Sequence, residues 1–167
     1  MNKTVLVFSD SHGAARRMQK VIDAYEGRYD AVFFLGDGLR DAESLVIPAE
    51  KQKVFIRGNC DFDSSEPGFA KLNIGKYVFI LTHGHAYGVK RGIDDYVKFA
   101  RSNNADAALF GHTHVPLEAC LADGEKPLYL FNPGSVSCPA CGGATFGVIT
   151  VTDGGILFSH GDVADLM

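Results

Sequence analysis

The chain has 167 residues, a net charge of −4 at pH 7 and 46% hydrophobic side chains. This length predicts a single domain over residues 1–167 with its own apolar core, and 22% of charged residues excludes wholesale disorder. The longest runs of basic residues are two residues long, Arg16-Arg17 and Lys90-Arg91. A broad nucleic-acid-binding surface is therefore not expected.

Neither export nor membrane insertion is indicated by the sequence. No stretch approaches the roughly 18 apolar residues that a membrane helix needs, and the apolar run over residues 5–8 is too short for a signal-peptide core. The four cysteines do not predict a disulfide framework in a chain of this length. They are Cys60, Cys120, Cys138 and Cys141. We therefore expect a cytoplasmic protein with no membrane partner.

The predicted elements alternate between strands and helices before ending in antiparallel structure. Apolar runs rich in β-branched and aromatic residues predict strands buried on both faces, over residues 5–8, 31–35, 54–56, 77–81 and 107–110. Helical spacing of apolar residues predicts helices over residues 14–27, 41–46 and 93–102. Two hairpins follow, 115–121 with 128–131 around Asp123-Gly124, and 145–151 with 156–160 around Asp153-Gly154-Gly155. The pattern predicts an α/β fold with one mixed sheet or two packed sheets.

Each of the five predicted strands runs into a polar cluster that contains or adjoins a chemically active side chain. In chain order the clusters are Ser9-Asp10-Ser11-His12, Gly36-Asp37-Gly38, Arg57-Gly58-Asn59-Cys60-Asp61, Thr82-His83-Gly84-His85 and Gly111-His112-Thr113-His114. Loops at the carboxyl ends of strands gather into a site in α/β sheets. A single Asp or His here is typical of a turn or a structural hydrogen bond. Gathered at one place, these carboxylates and imidazoles would repel one another and lose hydration unless a cation lay among them. The whole set therefore predicts a metal centre.

These clusters, read as D-x-H, G-D, G-N-x-D, H-G-H and G-H-x-H, closely resemble the calcineurin-like metallophosphoesterase superfamily. Asn132-Pro133-Gly134-Ser135 further resembles the small bacterial and archaeal phosphodiesterase branch of that superfamily. The resemblance extends from Asp10 to Ser135. It implies a four-layer αββα sandwich, in which helices flank two mixed β-sheets, and a site for two divalent metal ions.

The same resemblance implies which side chains hold the metals. One metal would take Asp10, His12 and His114. The other would take Asn59, His83 and His112, and Asp37 would bridge both. Imidazole and oxygen ligands without thiolate suit borderline divalent ions. We expect manganese, with iron, zinc, nickel and cobalt as alternatives.

The expected activity is hydrolysis of phosphate esters, above all small or nucleotide-like phosphodiesters, by a hydroxide that bridges the two metals. Asn59 would help to neutralise charge on the phosphate oxygens. The leaving oxygen would take its proton from water, His85 or Asp61. A structural role for His85 is an equal alternative, and Asp61 is most simply an acceptor that orients a ligand or Arg57. Arg57 and Cys60 are candidate substrate contacts, and Cys60 stands where many superfamily members have a histidine.

Two rival functions use the same fold. A phosphomonoesterase or protein phosphatase would need a basic pocket, and no arginine cluster flanks the motifs beyond Arg57. A non-catalytic interaction module, as in a retromer subunit of this superfamily, would have lost ligands, whereas every expected position here holds a competent residue. Cys138-x-x-Cys141 resembles a redox motif, but its neighbours favour a loop, and it would supply only half of the ligands of a zinc site. His160 is expected on the surface, and the oligomeric state is left open.

Overall fold

The computed structural model describes residues 2–167. Over that range the strands are β1 (Lys3–Phe8), β2 (Ala31–Phe34), β3 (Gln52–Phe55), β4 (Phe69–Ile74), β5 (Tyr77–Thr82), β6 (Ala107–Leu109), β7 (Leu117–Leu121), β8 (Leu128–Asn132), β9 (Thr145–Thr152) and β10 (Gly155–Asp162). The helices are α1 (Ala15–Ala24), α2 (Leu39–Glu43) and α3 (Asp94–Ser102), with short 3₁₀ helices at His85–Tyr87 and Val163–Leu166. None of these helices is long and apolar enough to cross a lipid bilayer.

The strands form two mixed five-stranded sheets. The first has the order β10-β9-β1-β2-β3, in which β1, β2 and β3 are parallel and the hairpin β9–β10 is antiparallel. The second has the order β4-β5-β6-β8-β7, with β5, β6 and β8 parallel between two antiparallel edge strands. Both hairpins expected near the C-terminus are confirmed, one in each sheet.

Alternation of side chains along the strands builds four layers. On β1, Val5 and Val7 enter the core between the sheets, whereas Leu6 and Phe8 pack on the other face with Met18 of α1. The outer face of the second sheet packs in the same way on α3. Burying each large apolar side chain contributes about 1.5–3 kcal/mol, so this period-two pattern fixes which face each residue occupies. The four-layer αββα sandwich is confirmed.

Two features of the sheets differ from the sequence-based expectation. Strand β3 lies at an edge and begins at the exposed Gln52, two residues before the predicted run 54–56; within that run Val54 and Ile56 pack between the sheets and Phe55 packs on the outer face, as expected. Strand β4 was not predicted, because Phe69 and Leu72 are separated by polar or small residues rather than forming a continuous apolar run. Strand β4 is an edge strand with one packed face, so its apolar residues alternate with exposed ones.

The helix boundaries also shift. Helix α1 ends at Ala24 rather than at residue 27, and α2 runs over Leu39–Glu43 rather than 41–46. Helix α3 begins at Asp94, one residue later than expected. Helix ends fray and are set by tertiary contacts, so these shifts leave the layer arrangement unchanged.

Candidate metal centre

A first group of metal-ligating side chains combines Asp10, His12 and His114. Asp10 is fully buried, and its Oδ2 accepts hydrogen bonds from Ser9 Oγ (2.6 Å) and from the backbone N–H of His112 (3.0 Å). The other oxygen, Oδ1, accepts no hydrogen bond from the residues that the structure describes. It faces His114 Nε2 at 3.1 Å and His12 Nε2 at 3.9 Å. We call these three residues the first triad.

A second triad combines Asp37, His83 and His112. Nε2 of the buried His83 lies 3.3 Å from Asp37 Oδ2 and 3.2 Å from His112 Nδ1. Asn59 joins this group, because its Oδ1 lies 3.1 Å from the same ring nitrogen. The four strand-end side chains thus surround one point at the edge of the two sheets.

Backbone carbonyls fix which nitrogens of the histidines carry protons. His83 Nδ1 lies 2.7 Å from the carbonyl oxygen of Leu35, and His114 Nδ1 lies 2.6 Å from that of Cys138. Because a carbonyl can only accept, each Nδ1 must donate, and each neutral ring presents a lone pair at Nε2.

The lone pairs therefore converge in both triads. His83 Nε2 faces the oxygen lone pairs of Asn59 and Asp37, and Asp10 Oδ1 is a buried charge-bearing atom without a donor. Such an arrangement is costly unless a proton or a cation lies among the ligands. These residues fit divalent metal ions, with imidazole, carboxylate and amide donors and no thiolate.

The two triads adjoin each other. Asp10 Oδ1 lies 3.9 Å from His83 Nε2, so a residue of the first triad reaches a residue of the second. The structure places Asp37 in the second triad. Its bridging contact to the first triad stays a prediction.

The electrostatics of the second triad follow from these short distances. Burial would raise the pKa of Asp37, but His83 and the backbone N–H of Cys60 outweigh it and hold that pKa well below its ordinary value. Burial would lower the pKa of His83, but Asp37 and Asp10 raise it instead. His112, by contrast, has a pKa lowered to about 4 by burial and by the positive charges of His83 and Lys90. Asp37 and His83 thus form an ion pair without metal, and a metal ion would replace that proton.

The backbone of the centre is held in an uncommon conformation. Five of the seven predicted metal ligands have a positive φ between 40° and 68°: Asp10, His12, Asp37, His112 and His114. A non-glycine residue in this region costs about 1–3 kcal/mol, and such residues concentrate at functional sites. The rest of the fold must offset that cost, which agrees with a site built for binding.

Asp61 holds two of the loops together. Its Oδ1 accepts the backbone N–H groups of Gly38 and Leu39 (2.8 and 2.9 Å), and its Oδ2 accepts those of Asp37 and Gly58 (2.8 and 2.7 Å). Gly58 must be a glycine, because a Cβ there would collide with the Asp37 carboxylate. All four bonds are to the main chain and none is to Arg57, so this geometry favours an orienting role for Asp61 over proton transfer.

The remaining predicted site residues lie at the rim. His85 is exposed, with its ring centroid 5.5 Å from that of His83, and burial and the His83 charge lower its pKa. Arg57 is also exposed, and its charge contributes to that same lowering. Cys60 is exposed, and burial of its sulfur together with the Asp37 carboxylate raises the pKa of its thiol.

The sequence analysis did not assign a positioning role to several residues that support the site. Ser135 Oγ donates to the carbonyl of Asp10 (2.8 Å), and Asn132 Nδ2 donates to that of Gly111 (3.0 Å), so the Asn-Pro-Gly-Ser segment fastens two ligand loops. Asp41 Oδ2 accepts from Ser11 Oγ at 2.6 Å and from the Gly13 N–H at 2.7 Å. Ser135 and Asn132 had a sequence signal, the Asn-Pro-Gly-Ser motif itself, whereas Asp41 had none.

Two further expectations concern residues outside the triads. His160 is not a free surface residue, because its ring stacks on Phe131 (4.7 Å between centroids) and its Nε2 lies 2.7 Å from the carbonyl of Asn132. Strand β10 turns that side chain onto β8, which the expected hairpin alone could not show. Cys138 and Cys141 are exposed free thiols in the loop before β9, and neither belongs to a candidate metal group within residues 2–167.

A comparison with known protein families shows to which family the chain belongs. A family model described as the calcineurin-like phosphoesterase superfamily domain matches residues 4–154. The chain belongs to this superfamily. The family resemblance found in the sequence is thus confirmed.

Two relatives of the chain are named as a probable metallophosphoesterase and a phosphodiesterase. The chain is 30% identical over 135 residues to the probable metallophosphoesterase YsnB of Bacillus subtilis, covering 81% of this chain and 76% of that protein. It is 27% identical to phosphodiesterase YfcE of Escherichia coli K12, covering 84% of each. A solved structure from Streptococcus pneumoniae TIGR4, titled a conserved uncharacterized protein and predicted phosphoesterase, superposes with a TM-score of 0.80 at 26% identity, covering 98% and 91%.

Proposed function

We propose that this chain is a metal-dependent phosphodiesterase. The observation that carries the proposal is the convergence of the metal-ligating side chains of Asp10, His83 and their neighbours on two adjoining points. Family membership and the names of the relatives YsnB and YfcE support the same class of reaction.

The first triad, Asp10, His12 and His114, would hold one cation. Asp37, His83, His112 and Asn59 would hold the other, and Asp37 would bridge. We expect manganese, with iron, zinc, nickel or cobalt able to use the same donors. When bound, two divalent cations supply the charge that activates a water molecule and neutralises phosphate oxygens.

Residues around the triads would orient the substrate. Asn59 turns its Oδ1 towards His83, and its Nδ2 makes only a long 3.5 Å contact with Cys60 Sγ. That amide group can therefore donate to a non-bridging phosphate oxygen. Arg57 and Cys60, both exposed at the rim, would contact the ester groups.

His85 is the better-placed partner for the leaving oxygen. Asp61 is saturated by four main-chain N–H groups, whereas the exposed His85 ring lies beside His83 without a hydrogen bond from the described residues. We propose that His85 contacts the leaving oxygen and that Asp61 is a positioning residue.

Charge favours diesters over monoesters. A diester carries one negative charge and a monoester nearly two at neutral pH, and the cations that act on the histidines of the second triad and its rim are Arg57 and Lys90. An acidic protein with so few basic groups at its site would repel the dianion more strongly.

Metal-dependent turnover tests the proposal. The purified protein is treated with a chelator, reconstituted with Mn²⁺, and assayed on bis(4-nitrophenyl) phosphate and on 4-nitrophenyl phosphate. We expect activity on the diester that requires the added metal and exceeds activity on the monoester in kcat/KM. A higher kcat/KM for the monoester would establish the phosphomonoesterase function instead, and turnover of neither would contradict the proposal.

A further inference from the structure

A side cleft of about 530 Å³ opens beside the first triad. Its walls include His12 of that triad and the turn formed by Cys60, Asp61 and Phe62. Its volume is within the range of sites that hold small organic molecules. Because His12 both lines the cleft and belongs to the triad, a diester bound at the metal centre can extend one alcohol group into it.

Phe62 gives this cleft an aromatic wall. The side chain is 80% exposed, more than the other exposed large apolar side chains of residues 2–167. A single exposed apolar residue on a convex surface needs no explanation. Phe62, however, lines a concave surface next to the proposed reaction centre, where an exposed ring can stack against a ligand.

The turn that carries Phe62 is fixed on its N-terminal side. Asp61 accepts four main-chain N–H groups, and the N–H of Cys60 donates to Asp37 Oδ1 at 2.8 Å. Asp63 follows in the left-handed conformation, with φ of 61°, and closes the turn. The ring is thus presented by an ordered backbone, which lowers the entropy cost of binding against it.

The charges of the cleft exclude an anionic occupant. Four carboxylates line it against the single guanidinium of Arg40. Asp41 and Asp61 are already engaged by neighbouring donors, but Glu43 and Asp63 are exposed and leave an excess of negative charge. A second phosphate group would be repelled there, whereas an uncharged ring would not.

We propose that the side cleft binds an uncharged aromatic ring of the substrate, a nucleobase or an aryl alcohol, by stacking on Phe62. The inference rests on the proposed function and narrows its substrates to phosphodiesters that carry a nucleoside or aryl group. Stacking between an aromatic side chain and a base tolerates every base, since each has a π face. Phe62 is thus a specificity-determining residue.

A fluorescent reporter tests ring binding without catalysis. The chain contains no tryptophan, so Phe62→Trp would introduce the only one. The metal-loaded variant is titrated with adenosine, which is uncharged, and with ribose. The matched control is Leu157→Trp, at a 68% exposed position of β10. Leu157 pairs with Thr150, which pairs with Thr4 near the start of β1, and so lies away from the end of β1 that leads to Asp10. We expect saturable quenching by adenosine only in Phe62→Trp. Equal, linear quenching in both variants, or equal quenching by ribose, would overturn the proposal.

Competition in the enzyme with natural Phe62 provides a second test. Adenosine should compete with bis(4-nitrophenyl) phosphate, and Phe62→Ala should weaken that inhibition about tenfold through loss of stacking. Phe62→Tyr should retain it. Equal inhibition of wild type and Phe62→Ala would refute the role of Phe62. Saturable quenching without any turnover would refute only the proposed function, and turnover without quenching would refute only the cleft.

Discussion

Ser135 Oγ donates a 2.8 Å hydrogen bond to the main-chain carbonyl of Asp10, across 125 residues of sequence. The same oxygen accepts the N–H groups of Cys138 (2.7 Å) and Ser137 (3.2 Å), and Ser135 is fully buried. One hydroxyl therefore connects the loop after β8 to the loop after β1. Because Cys138 in turn holds His114 through its carbonyl, Ser135 bears on two ligands of the first triad.

Replacing Ser135 by alanine should therefore loosen the first triad. Ser135→Ala removes the partner of two N–H groups and leaves the Asp10 carbonyl with only the 3.3 Å bond from Ser137 Oγ, which costs about 1–3 kcal/mol in the free energy of unfolding. Metal affinity should fall as well. Urea unfolding and metal titration measure both effects, with Ser159→Ala on the exposed face of β10 as control. Unchanged stability and metal affinity would refute the connecting role.

Asp61→Asn should lower activity through the position of its neighbours. The amide retains one oxygen but turns an NH₂ group towards main-chain donors, so we expect a loss of about 2–3 kcal/mol in stability. Turnover should fall at least tenfold, because Asp37 and Asn59 would shift. A tenfold loss corresponds to about 1.4 kcal/mol of activation free energy. A positioning role predicts weaker metal binding together with the lost rate, and an unchanged pH profile. Asp165→Asn, at an exposed C-terminal position, is the control. Normal metal binding with lost activity would instead indicate direct proton transfer by Asp61.

Cys60→Ala should cost no more than about tenfold in kcat/KM, since a lost contact with the leaving group has a small effect. In the metal-free chain, burial and the Asp37 carboxylate raise the pKa of the Cys60 thiol. A covalent nucleophile would lose several orders of magnitude on the same change. Steady-state kinetics on bis(4-nitrophenyl) phosphate measure the effect, with Cys120→Ala on β7 as control. A variant that binds metal but has no activity would contradict a hydrolytic mechanism with water as nucleophile.

Acid stability should depend in part on Asp30, far from the metal centre. Burial would raise the pKa of Asp30, but the N–H of Thr4 and the ammonium of Lys3 outweigh it and lower that pKa below its ordinary value. A carboxyl with a lowered folded-state pKa adds stability above its unfolded value and loses that stability as the pH falls through the folded value. Asp30→Asn should thus be less stable than wild type at pH 7, and the difference should shrink at pH 3. Urea unfolding at both pH values checks this, with Asp95→Asn, in an exposed ion pair with Lys98, as control. An equal difference at both pH values would contradict the assignment.

The candidate ligands could be predicted from the sequence because they follow buried strands. Parallel strands such as β1 and β2 end at the same sheet edge, so Asp10 and Asp37 had to lie close together. Strand β4 could not be predicted in this way, because an edge strand with one packed face leaves a weak apolar pattern.

The supporting contacts of the site lie beyond local sequence patterns. Asp61 accepts N–H groups from residues more than 20 positions away, and these bonds depend on how two loops pack. No local pattern distinguishes such a carboxylate from the solvent-exposed Asp63. The position of His160 on Phe131 is likewise set by the packing of one sheet on the other, and not by the sequence of its own strand.

The number of metal ions bound per chain tests the central claim most directly. Protein dialysed against Mn²⁺ and then freed of unbound ion is analysed for metal content, beside His114→Ala and Asp37→Asn. Two triads predict two ions per chain in wild type and one in His114→Ala, because that change removes a donor from the first triad only. Asp37→Asn should bind both ions more weakly and lose activity, since the shared charge is gone. Wild-type protein that binds no divalent ion, or a His114→Ala variant that retains two, would contradict the two-site centre.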